Sequence, residues 1–180
     1  DYDTDTIVFM PGSRQKEIAN LMPVFSDLQA KFTDYKCLLV VPESMRGAEV
    51  YGDLSAFDIT HDTYGALKEA KHAFICSGTA TFEAALIGTP LSLCFLINKF
   101  DYKLGRMLAH IEHTGLANII LEKIDGQLMH SEFFQEEVTA GHLYNDYLQT
   151  KSETFEQKSR RLREIMGHGS SQNVAEIIHT

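Results

Sequence analysis

Short apolar runs alternate with amphipathic stretches along most of the chain. Thr6-Ile7-Val8-Phe9-Met10 is a compact apolar run closed by Pro11-Gly12-Ser13-Arg14, the pattern of a buried strand entering a turn. From Lys16 onward, Ile18, Leu21, Met22, Phe25 and Leu28 fall three or four residues apart, which predicts an amphipathic helix with Ser13 as its cap. Cys37 to Val41 reads as the next strand, stopped by Pro42, and residues 44–52 as a short helix before Gly52. A weaker strand over Ala56–Thr60 leads through His61-Asp62 to a short helix at Thr63–Ala70. Ala73–Cys76 and Pro90–Phe95 complete five apolar runs, with a turn at Gly78 and a helix over Ala80–Ile87 between the last two. Such alternation predicts an α/β, Rossmann-like domain: a mostly parallel sheet with helices on both faces.

The second half is less regular. Asn98 to His113 carries Lys99, Lys103 and Arg106 among Phe100, Tyr102, Leu104, Met107, Leu108 and Ile111, the pattern of a basic amphipathic helix. Docking on an anionic membrane surface and packing on the sheet are both open to it. His110 and His113 share one face but lack a third ligand, so no metal site is expected. Ala117–Leu121 reads as a short extended piece, and Ser131–Glu137 as a helical turn with buried Phe133 and Phe134. Thr139 caps a helix whose apolar face is Leu143, Tyr144, Tyr147 and Leu148. Thr150-Lys151-Ser152-Glu153 has capping-box spacing and opens a charged helix ending at Met166-Gly167. Ser170 or Ser171 caps a last short helix with Val174, Ile177 and Ile178 inward. No repeat or linker divides residues 1–180, which are expected to form one domain with C-terminal helices from about residue 139.

Composition narrows the function. The 180 residues hold 25 acidic and 16 basic side chains, a formal charge of −9. That balance argues against nucleic-acid binding, whose affinity comes mostly from a basic surface. Cys37, Cys76 and Cys94 each sit in an apolar run and read as buried free thiols of a reducing compartment. With neither a signal peptide nor an apolar run of about 18 residues, the chain is expected in the cytoplasm.

The chemistry concentrates at two strand-to-helix turns, Gly12-Ser13-Arg14 and Ser77-Gly78-Thr79-Ala80-Thr81. Free N–H groups and the positive end of a helix dipole meet at such a turn, which favours a phosphate. In a parallel sheet, both turns lie at the carboxyl edge of the strands, where ligands bind. Neither the G-x-G-x-x-G fingerprint nor a P-loop is present, so a phosphate would rest on backbone amides and Arg14. Arg14 either forks onto a diphosphate or pairs with Glu17 on the surface. Glu83, one turn into its helix, leans back toward the turn and either accepts ligand hydroxyls or is merely solvated.

These motifs, in order with Asn118-Ile119-Ile120 and Glu132-Phe133-Phe134-Gln135-Glu136-Glu137, resemble the C-terminal half of the lipid-A-disaccharide synthases from Ile7 to Ile178. Ala117 stands where that family usually has proline, and Phe82, Phe133 and Phe134 where it often has leucine. Ser131 replaces a proline or basic residue. The resemblance implies an inverting family 19 glycosyltransferase of GT-B architecture, two Rossmann-like domains across a cleft, with no metal or other cofactor. It implies a UDP-2,3-diacylglucosamine donor and a 2,3-diacylglucosamine 1-phosphate acceptor. Arg14 and the Gly78–Thr81 turn would hold the diphosphate, Glu83 the ribose, and Asn118 and Gln135 the uracil or diphosphate. The acceptor site and general base belong to the N-terminal half, so this chain is expected to be an isolated donor-binding domain. Acylated substrates imply peripheral contact with the inner membrane surface. Another UDP-sugar transferase or epimerase of this architecture, or a non-catalytic binding module, remains the alternative.

Overall fold

The computed structural model describes residues 5–76, 78–96 and 113–167. Six strands form one wholly parallel sheet: β1 (Thr6–Met10), β2 (Lys36–Val40), β3 (Asp58–Thr60), β4 (His72–Cys76), β5 (Leu91–Phe95) and β6 (Ser131–Phe134). Their spatial order is β3-β2-β1-β4-β5-β6. The chain winds outward from β1 to β3, then returns to the other side of β1 with β4. Where two adjacent strands send their connections in opposite directions, a crevice opens beyond their carboxyl ends. Here that place is between β1 and β4.

Side chains alternate across the sheet and divide the core in two. Ile7, Phe9, Leu39, Phe74 and Cys76 face helices α1 (Gln15–Gln29) and α5 (Ala140–Gln149). Val8, Met10, Val40, Ile75 and Leu93 face α2 (Thr63–Glu69), α3 (Thr79–Ile87), α4 (Leu116–Asp125) and α6 (Ser152–Met166). The five apolar positions read as the inner face of α1 are all buried. On the first face Phe9 meets Phe25 and Phe74 with ring centroids 5.4 and 5.6 Å apart, an aromatic floor beneath the β1 turn. Burial of one such ring from water is worth about 2–3 kcal/mol, so the floor fixes the strand ends above it.

A polar chain ties β4, β5, β6 and α5 together inside this packing. His72 Nε2 lies 2.8 Å from Ser92 Oγ, which donates to Asp146 at 2.6 Å; Ser131 donates to the other Asp146 oxygen at 2.6 Å. Because the Ser92 proton goes to Asp146, His72 must donate from Nε2. Burial pushes His72 down to about 3, so it is neutral at pH 7.

Several local expectations change. Arg14 rather than Ser13 precedes α1, and it makes no side-chain cap. Residues 44–52 hold two 3₁₀ turns, Glu43–Met45 and Glu49–Tyr51. Ala117–Leu121 is helical, inside α4, and Ser131–Phe134 is a strand ending in a 3₁₀ turn at Gln135–Glu137. Thr139 does cap α5, accepting from the His142 N–H, but Leu148 on that helix is 61 % exposed. Thr150 donates to the Asp146 carbonyl at 2.8 Å and so closes α5; no side chain caps α6. The helices read at residues 98–113 and 170–178 lie outside the described residues, apart from His113. No helix among the described residues is long and apolar enough to cross a membrane.

Candidate functional site

The bend after β1 and the bend after β4 meet at the strand-order reversal. Gly12 has φ +97°, a conformation that side chains rarely adopt. A Cβ there would lie 3.3 Å from both Cβ and Sγ of Cys76 and 2.8 Å from a Glu17 carboxylate oxygen. Gly12 is therefore required twice, for its backbone and for the close approach of β4 and Glu17. Ser13 and Arg14 follow, both exposed, and Arg14 Nη1 donates to Glu17 Oε1 at 2.7 Å. The surface pairing left open from the sequence is thus made. Glu17 raises the affinity of the guanidinium for its proton, so Arg14 stays cationic.

Helix α3 starts beside this bend. Its N-cap is Gly78, no side chain caps it, and its first turn holds no acidic residue. Thr79 and Gly78 are exposed, Ala80 is half-buried, and Thr81 is buried with its hydroxyl donating to the Gly78 carbonyl at 2.7 Å. Thr81 thus braces the turn instead of presenting a free hydroxyl. Glu83 is exposed one turn further on. Ser77 lies outside the described residues. The opposite end of α3 is closed from within: Ser159 donates to the Ala85 carbonyl at 2.7 Å and Arg163 to the Leu86 carbonyl at 2.6 Å. Among the described residues a cation meets the carboxyl end and no acid meets the amino end, an arrangement suited to an anion.

The third stretch behaves differently. Asn118, expected around the ligand, turns inward and is fully buried. Its amide donates to the His130 carbonyl at 2.9 Å and to Glu132 at 2.7 Å. Its oxygen accepts the Met129 and His130 N–H groups at 2.7 and 3.1 Å. Those four bonds use its whole capacity, so the side chain anchors the approach to β6 and has nothing left for a ligand. Glu132, with a side chain only 3 % exposed, accepts the N–H groups of Thr114 and Gly115 at 2.8 and 3.0 Å. Sequence reading missed this role; its one signal was a lone charge between Ser131 and Phe133.

Gln135 does sit at the carboxyl edge, directly after β6. It is 9 % exposed, and among the described residues its Nε2 has no hydrogen-bond partner and its φ of +52° is the one positive non-glycine value. Backbone strain and an unpaired buried donor both cost free energy, about 1–3 kcal/mol each, and together they mark a position kept for something besides packing. A hollow of about 550 Å³ lies elsewhere, along the outer edge of β6, lined by His130, Ser131, Asp146, Lys151 and Lys158. The two glycine bends share a ledge at the carboxyl ends of the paired strands β1 and β4. Among the described residues no cluster of three or more His, Cys, Asp or Glu is placed to hold a metal ion.

The parallel order, the reversal at β1/β4 and the bends above it define a Rossmann-like domain of the kind that makes up half of a GT-B glycosyltransferase. The glycosyltransferase SnogD from Streptomyces nogalater shares the fold, with a TM-score of 0.55 over 98 % of this chain and 44 % of that one, at 16 % identity. Sequence relatives are more specific. The lipid-A-disaccharide synthetase family model matches residues 1–177. A lipid-A-disaccharide synthase of Campylobacter jejuni strain RM1221 is 41 % identical over 98 % of this chain, and one of Helicobacter pylori strain J99 is 38 % identical over 98 %. The chain belongs to the lipid-A-disaccharide synthetase family. It spans about half the length of these relatives, 49 % and 53 % respectively.

Proposed function

We propose that this chain is the C-terminal, donor-binding half of a lipid-A-disaccharide synthase. It holds the UDP portion of UDP-2,3-diacylglucosamine while a hydroxyl of 2,3-diacylglucosamine 1-phosphate displaces UDP with inversion. The observation that carries this reading is the contact of Gly12 with Cys76, which brings Arg14 and the uncapped start of α3 to one ledge at the strand-order reversal. As the bond from sugar to UDP breaks, negative charge grows on the diphosphate. A preorganised cation and fixed amide dipoles stabilise that charge without reorganising, which lowers the barrier. Arg14 supplies the cation, and Ser77 through Thr81 supply the dipoles.

Glu83 accepts the ribose hydroxyls, and the unpaired amide of Gln135 donates to the nucleotide from the end of β6, two strands along from β4. Asn118 acts on the backbone before β6. The acceptor and its general base come from the other half of the protein, across the ledge. Acyl chains on both substrates bring the assembled enzyme to the inner membrane surface as a peripheral protein, and co-sedimentation with anionic vesicles tests that part.

Calorimetric titration of UDP into the wild-type chain and Arg14→Ala tests the donor site. Loss of a charge-assisted fork is expected to weaken binding by about 10- to 100-fold. Equal affinity in the two proteins would refute the assignment, and so would sugar transfer by this chain alone.

A further inference from the structure

We propose that Glu17 is a positioning residue for the donor diphosphate. It anchors one nitrogen of Arg14 so that the rest of the guanidinium faces the ledge. The inference rests on the donor-site reading above and adds a residue to it. Arg14 and Glu17 are three residues apart, and exposed pairs at that spacing contribute little. The same molecule holds such a pair for comparison: Arg46 and Glu43, 3.1 Å apart, have side chains 62 % and 69 % exposed. Arg14 is 81 % exposed, yet Glu17 is only 14 % exposed, and their contact is shorter, at 2.7 Å. A carboxylate withdrawn from water to meet an exposed cation is an anchor, not two solvated charges meeting by chance.

Glycine at position 12 makes this possible. The second Glu17 oxygen occupies space 2.8 Å from where a Cβ of residue 12 would stand, and Cys76 borders the same spot at 3.3 Å. Glu17 therefore lies in the seam between the two bends. Its charge also falls in the first turn of α1, where the helix dipole favours an anion. The first turn of α1 thus already carries an anion, whereas that of α3 carries no acid, which favours an incoming diphosphate at α3 and Arg14. A guanidinium has five N–H donors in one plane, and the contact to Glu17 engages one nitrogen. The donors that remain are held in a fixed plane instead of sweeping through solvent, as second-layer carboxylates orient metal-binding histidines.

The test compares UDP with uridine, which lacks the phosphates, on the 180-residue chain by calorimetry. Glu17→Gln keeps the shape of the side chain and removes its charge. UDP affinity is expected to fall about five- to tenfold while uridine affinity stays at the wild-type value. Arg14→Ala with Glu17→Gln is expected to bind UDP no more weakly than Arg14→Ala alone, because the two residues act as one unit. Arg14→Lys changes only an exposed side chain and so avoids any folding defect. An ammonium tied to Glu17 cannot also present a planar fork, and most of the Arg14→Ala loss should reappear. Unchanged or tighter UDP binding in Glu17→Gln, or an equal loss for uridine, would overturn the role of Glu17 while leaving the donor site intact. Absence of UDP binding by the wild-type chain would overturn both.

Discussion

Helices α3 and α4 begin alike and end up with different tasks. Each follows a glycine, Gly78 or Gly115, and neither carries a side-chain cap from its own first residues. At α4 the deficit is met by Glu132, seventeen positions beyond Gly115, whose buried carboxylate takes the Thr114 and Gly115 amides and one hydrogen of Asn118. At α3 the first turn is left without an acid while Ser159 and Arg163 secure the other end. Among the described residues the same backbone need is answered by a carboxylate at α4 and by none at α3. A helix start with an internal anion is architecture, whereas one without is suited to an anion from outside.

The most damaging way to break the comparison is to unseat the carboxylate of α4. Glu132→Ala strands several buried donors, and a loss of about 3–5 kcal/mol is expected. Thermal unfolding should show it as a fall on the order of 10 °C. Acid attacks the same region more gently. Burial depresses His130, which packs against Gly115, as it depresses His72. The unfolded chain then binds protons that the folded chain refuses, so stability is complete above pH 6.5 and declines below it, for His72 down to about pH 3. Each histidine costs up to about 1.4 kcal/mol per pH unit within its window. Urea titrations at pH 7 and pH 5 should differ accordingly, and His72→Gln should flatten the difference.

Filling the empty helix start sharpens the contrast. Thr79→Asp puts a carboxylate in the first turn of α3, where it should slightly raise the melting temperature and weaken UDP by about tenfold or more. Affinity equal to the wild type would mean that the diphosphate does not come to α3. The smallest effect is expected at Gln135. Gln135→Gly relieves its φ of +52° and removes the unpaired Nε2, so stability should rise by about 1 kcal/mol while UDP binding weakens severalfold. Stability gained with no loss of affinity would make the strain purely structural.

Much of this layout was legible from residue order. Apolar runs at Ile7–Met10, Ala73–Cys76 and Leu91–Phe95 became central strands because a fully buried parallel strand needs no polar face. Arg14 and Gly78, just after β1 and β4, come to the carboxyl edge as parallel pairing requires. The failures share one cause, which is dependence on distant residues. Ala117-Asn118-Ile119-Ile120-Leu121 looked extended because its branched side chains favour strands and no cap preceded it; the cap arrives from Glu132. Glu132 itself sat in a stretch read as a turn, since only pairing with β5 makes Ser131–Phe134 a strand. Asn118 was recognisable as important, but nothing local revealed that its four bonds would point inward.

Asp146 carries one more consequence. By gripping Ser92 and Ser131, which sit opposite each other on β5 and β6, it acts as a register pin for the outermost strand. Sliding β6 by two residues would preserve its inward and outward faces but drag Ser131 roughly 6–7 Å from its acceptor. The far tip of that strand, with Gln135 on it, is therefore held at a set height by a lock at the other end.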